Sequence, residues 1–174
     1  MARWLRVTLL LGVPMLFGPF VVQRKVSAKR VPKSERASPA VPGGEPLPAK
    51  ESRLQTVVDT IRERLAIAEA VSVTLVPSNR LIVSVERHRD RAAGFVMSME
   101  DTFVAQLSDV ELEAVIAHEL GHVWIYTHHP YLQTEEGANE VALKVVDRQT
   151  LTDVYEKVWS RIGERGSLRY LPVE

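Results

Sequence analysis

Leu54, Val57, Val58, Ile61 and Leu65 recur at helical spacing, so residues 51–70 contain a first helix. Residues 71–76 and 81–86 are β-rich runs joined around Pro77-Ser78-Asn79-Arg80, and they predict a hairpin. In 94–100, Phe95, Met97 and Met99 alternate with Val96 and Ser98, which predicts a short strand that joins the first two. Leu112, Val115, Ile116, Leu120 and Val123 then form the apolar stripe of a second helix. Ser108, followed three residues later by Glu111, has the spacing of a capping box that starts it. Asp109, Glu111 and Glu113 fill its first turn, where the helix dipole favours anions. Residues 130–147 read as a further helix opened by Pro130, with an inward stripe of Leu132, Glu135, Asn139, Ala142 or Leu143, and Val146. A last helix is capped by Thr152, buries Val154, Tyr155, Val158, Trp159 and Ile162, and ends at Gly163 and Gly166. Strands first and helices later indicate an α+β domain, a short sheet packed on a helical layer.

The chain has 174 residues, 45% of them hydrophobic, which is room for one domain and a tail. Its net charge of zero hides a division. Residues 1–50 hold nine Lys/Arg and two Asp/Glu, whereas residues 51–174 hold thirteen and twenty. An acidic domain argues against a nucleic-acid partner, while the basic tail suits anionic surfaces such as lipid heads. Within that tail, Arg3 and Arg6 precede an apolar run from Val7 to Val22, so residues 1–26 are expected to be a signal peptide or a membrane anchor. Either outcome implies an exported or membrane-tethered protein. The absence of cysteine agrees with export without disulfides. Residues 27–50, with five prolines, cannot bury a core and read as a basic linker, leaving 51–174 as the domain.

The chemistry is concentrated at His118-Glu119-Leu120-Gly121-His122. Residues four apart share a helix face, so the two imidazoles can grip one zinc ion, and the adjacent carboxylate can reach a water bound to it. A catalytic zinc site needs a third protein ligand. Without cysteine, the candidates are His128, His129, Glu135, Glu136 and Glu140. Periodicity favours Glu135, a polar residue in an otherwise apolar stripe, with Asn139 one turn below it to orient a ligand histidine. His128 and His129 remain alternatives at the helix end.

With its upstream helix, and with Glu135-Glu136-Gly137-Ala138-Asn139 downstream, this motif resembles the gluzincin metallopeptidases over roughly residues 80–148. It is most similar to the HtpX-like and CAAX prenyl protease group, with some likeness to the IrrE/ImmA-like metallopeptidases. The resemblance implies a zincin-like fold with His118, His122 and Glu135 as ligands of one zinc ion and Glu119 as the catalytic glutamate. Asn139 departs from the aspartate of the HtpX-like pattern. In zincins the strand before the motif helix is the edge that an extended peptide pairs with, so Phe95, Val96, Met97 and Ser98 become the expected substrate-edge strand.

The expected activity is hydrolysis of a peptide or protein substrate by metal-activated water, with Glu119 as general base. A zinc-bound but non-hydrolytic envelope domain is the competing reading. Tyr126, Tyr131, Tyr155, Tyr170 and His88 are available as oxyanion donors, and spacing does not choose among them.

Overall fold

The computed structural model describes residues 47–88 and 94–163, together with Gly166, Leu168 and Leu171. The expected targeting segment 1–26, most of the expected linker and Tyr170 lie outside the described residues. The elements run α1 (Leu47–Arg64), β1 (Val71–Val76), β2 (Val83–Arg87), β3 (Phe95–Glu100), α2 (Asp101–Val104), α3 (Asp109–His128), α4 (Glu135–Ala142) and α5 (Arg148–Ile162). This is the expected α+β arrangement, a three-stranded sheet against helices. It differs from expectation in how the strands pair.

The sheet order is β1-β3-β2. β3 runs parallel to β1, with Val71 opposite Phe95, and antiparallel to β2, with Val83 opposite Met99. The hairpin predicted between β1 and β2 therefore does not form. The physical reason is the connection between them. A two-residue turn would force adjacent strands together, but residues 77–82 are long enough to cross the roughly 10 Å between second-neighbour strands. Asn79 pins that crossing from the middle. Its amide donates to the Ser98 carbonyl at 2.9 Å and to Ser84 Oγ at 3.1 Å, and its carbonyl accepts from Leu81 N at 3.0 Å. The vacated central place goes to the strand whose Phe95, Met97 and Met99 are all buried.

α1 closes the outer side of β1 with side chains in place of a fourth strand. Gln55 donates to the Val71 carbonyl and accepts from Val73 N, both at 2.9 Å, and Glu51 accepts from Leu75 N at 2.8 Å. Val83, Val85 and the inward residues of β3 share one core with Leu54, Val58 and Ile61 of α1 and with α3. α3 is the axis of the molecule: residues 114–123 are buried on every side, between the sheet, α1, α4 and α5. α5 packs on it through Val154, Tyr155, Val158 and Trp159. Its cap is Asp147, which accepts from Thr150 N at 2.8 Å, and not the expected Thr152. Gly163, at φ +75°, ends it as expected.

Candidate metal centre

The capping box at the start of α3 is present: Ser108 N donates to Glu111 Oε2 at 2.7 Å, and Glu111 N donates back to Ser108 Oγ at 3.4 Å. From this fixed start, His118, Glu119 and His122 arrive about three turns in, and all three are buried. Gly121 between them lets a second backbone approach. A Cβ at that position would lie 2.4 Å from the Ala138 carbonyl oxygen of α4. This contact brings α4 across the histidine face.

α4 is shorter than the predicted 130–147 helix. Thr134, not Pro130, is the residue that starts it, its hydroxyl accepting from Gly137 N at 3.0 Å. Residues 130–134 precede it as a loop, and Leu132, placed by periodicity on the inward stripe, is 64% exposed. Glu135, in the first turn, turns inward. Its carboxylate lies 3.3 Å from His118 Nε2 and 3.6 Å from His122 Nε2. The two Nε2 atoms are 3.2 Å apart, and one ligand atom from each of the three residues falls within 4.8 Å of the others.

The far side of each ring meets a carboxamide. Asn139, fully buried one turn below Glu135, has Oδ1 2.8 Å from His118 Nδ1, and its amide nitrogen donates to Tyr155 Oη at 2.7 Å. Gln133 has Oε1 3.2 Å from His122 Nδ1, and its amide donates to the His122 main-chain carbonyl at 3.1 Å. Carbonyl oxygens only accept, so both Nδ1 atoms donate and carry the ring protons. The Nε2 lone pairs are then free to converge on one point.

Such a convergence needs a cation, which is how the residues fit zinc. Without metal, burial resists charging His118, but the Glu135 carboxylate outweighs it and the pKa rises. Burial lowers that of His122, so the second ring stays neutral. Burial also opposes ionisation of Glu135, yet the two rings it faces at 3.3 and 3.6 Å, His118 foremost, hold it ionised, well below the usual carboxylate range. Glu119 has no such partner. Both its carboxylate oxygens are buried without a hydrogen bond, and burial pushes its pKa up to about 8. A buried acid left this bare is the signature of a site built for something that is bound there. The donor set, two imidazole nitrogens and one carboxylate, suits zinc.

The model of peptidase family M48 matches residues 50–163, about two thirds of the chain. The chain belongs to peptidase family M48. It is a zinc metallopeptidase and acts on peptide or protein substrates. Family membership favours the hydrolytic reading over a non-hydrolytic envelope domain. Among solved structures, the metallopeptidase zymogen of Pyrococcus abyssi, abylysin, matches at 13% identity and TM-score 0.46, covering 66% of this chain and 99% of that one. No curated protein sequence matches this chain. In this M48 domain the other ligand candidates stay away from the cluster. Glu136 and Glu140 are exposed on the outer side of α4. His128 stacks on Trp124 at 4.2 Å, and the neighbouring His129 is exposed as well.

The substrate-edge strand is a correction. Phe95, Val96, Met97 and Ser98 lie in β3, which is hydrogen-bonded to β1 on one side and β2 on the other. A central strand has no open side for an added peptide. The oxyanion candidates also disperse. Tyr126 Oη lies 3.3 Å from an Arg87 guanidinium nitrogen, Tyr131 is 87% exposed, and Tyr155 is buried against Asn139. Gln133 and the Thr134 cap escaped sequence reasoning, because a loop residue carries no periodicity to mark it.

Proposed function

We propose that His118, His122 and Glu135 hold a single zinc ion and that Glu119 moves the proton in peptide-bond hydrolysis. The observation that carries this is the convergence of two Nε2 atoms and one carboxylate beside a second, unpartnered carboxylate. Bound zinc supplies Lewis acidity, acidifying water toward pKa ~7 and polarising the scissile carbonyl. Glu119 takes a proton onto a carboxylate oxygen from the attacking water and passes it to the departing amine nitrogen. Burial keeps Glu119 protonated in metal-free protein; opposed by a cation on the neighbouring ligands, it leaves a carboxylate able to take that proton near neutral pH. Asn139 holds the His118 ring so that Nε2 faces the ion.

An extended peptide pairs along β2 in this reading. Among the described residues β2 is the outer strand beyond β3, it touches α3, and Val83 and Val85 lie in the shared core. We also propose export, or tethering to a membrane, through residues 1–26. Support comes from the basic residues and the apolar run of that segment and from the +7 charge of residues 1–50. Among the described residues no helix is long and apolar enough to cross a membrane.

Glu119→Gln tests the chemistry. Zinc content should stay at wild-type level while turnover of a peptide substrate falls at least about 100-fold. An unchanged rate would remove Glu119 from the reaction.

A further inference from the structure

We propose that Gln133 is a positioning residue of this site: from a loop outside α3, it sets both the ring orientation and the tautomer of His122. The inference rests on His122 being a zinc ligand. It follows from two contacts that Gln133 makes with the same residue. Its Oε1 is 3.2 Å from His122 Nδ1, and its Nε2 donates to the His122 main-chain oxygen at 3.1 Å.

The two contacts determine each other. A main-chain carbonyl can only accept, so the amide nitrogen of Gln133 must face it. That leaves Oε1, which can only accept, facing the ring. Nδ1 must then carry the proton, and Nε2 must carry the lone pair. One end of the clamp grips the backbone and the other grips the ring, so the rotation of the imidazole about its side-chain bonds is fixed as well.

The clamp opposes a local preference. Glu135 lies 3.6 Å from His122 Nε2 and, without metal, would reward a proton there. A ring protonated at Nε2 cannot ligate. Gln133 keeps His122 in the ligating form before any ion arrives.

The test uses the full chain and two readouts. The first is the tautomer of His122 in metal-free protein at pH 8, read from imidazole nitrogen shifts by NMR. Wild type should show the Nδ1–H form, and Gln133→Leu, matched in size, should shift toward the Nε2–H form. Gln133→Glu keeps an acceptor for the ring and should retain Nδ1–H. The second is the zinc dissociation constant by chelator competition. Gln133→Leu should weaken it about 10-fold or more, in the usual range for loss of a hydrogen bond that orients a ligand histidine, and Gln133→Glu, which keeps the ring's acceptor but cannot donate to the His122 carbonyl, should recover only part of that loss. An Nε2–H ring in metal-free wild type overturns the proposal without any variant. So does a folded Gln133→Leu protein with an unchanged tautomer and affinity. Failure of wild type to bind zinc would strike the reading of the site, while the metal-free spectra would still decide the role of Gln133.

Discussion

α3 and α4 deliver the ligands by opposite means. α3 is twenty residues long, starts at a two-way capping box and is buried around its middle, so His118 and His122 stand on a rod held from all sides. α4 has eight residues, starts at a single Thr134 hydroxyl, and follows a loop whose Tyr131 and Leu132 face solvent. An eight-residue helix is marginal on its own, so tertiary contact must hold it in place. The contact on which Glu135 depends is the close approach of Gly121 to Ala138. Two ligands therefore belong to the core, and the third depends on how one helix is seated against another.

The largest effect should come from breaking that seat. Gly121→Ala puts a methyl group 2.4 Å from a backbone oxygen that cannot swing away. We expect a loss of about 3 kcal/mol in chemical denaturation. The surviving folded protein should bind zinc far more weakly, because α4 must move and Glu135 moves with it. Wild-type zinc affinity in this variant would show that α4 does not need the close contact.

Titration separates the helices next. In metal-free protein between pH 6.5, the unfolded value of His118, and about 8, the folded value of Glu119, the groups that respond lie on α3. His118 has a raised pKa, from the Glu135 carboxylate outweighing burial, so its contribution is complete below pH 6.5 and is lost as pH rises through the folded value. Glu119 keeps its proton to about pH 8 when folded but loses it near 4.5 when unfolded, so it too loses stability as pH rises toward 8. The lowered pKa of His122 costs stability only below its unfolded value of 6.5, and the contribution of Glu135 is complete above its unfolded 4.5. Stability should therefore fall across this window by up to about 1.4 kcal/mol per pH unit for each proton involved. Denaturation midpoints measured with a chelator present check this, and a flat or rising profile would contradict it.

The smallest effect compares the two caps. Ser108→Ala and Thr134→Ala should each cost about 1 kcal/mol. Only Thr134→Ala should also weaken zinc binding, since only that cap lies beside a ligand carried by a short helix. Equal zinc affinities in the two variants would erase the distinction.

The same contrast explains what could be read from the chain. The start of α3, its buried stripe and its three polar site residues are local signals, a cap followed by a period of 3.6, and they were legible. Glu135 and Asn139 were legible because polar residues interrupted an apolar stripe. The limits of α4 were not, since Pro130 and Thr134 are both suitable openers and only the fold decides between them. Pairing of β1 and β2 was misread because strand order depends on the path of residues 77–82 and the Asn79 anchor, not on composition. The peptide edge was assigned to β3 by likeness to zincins, and the central place of that strand in the sheet overturns it. Gln133 was invisible, since its role exists only once the loop folds back on His122.

The central claim is that imidazoles from one helix and a carboxylate from the next hold one zinc ion. Its most direct test is zinc stoichiometry, by metal analysis of the full chain after dialysis, in wild type and in Glu135→Ala. The account predicts one zinc per wild-type chain and a small fraction of that in the variant, with the fold retained by circular dichroism. A folded Glu135→Ala protein that retains its full zinc content would contradict it.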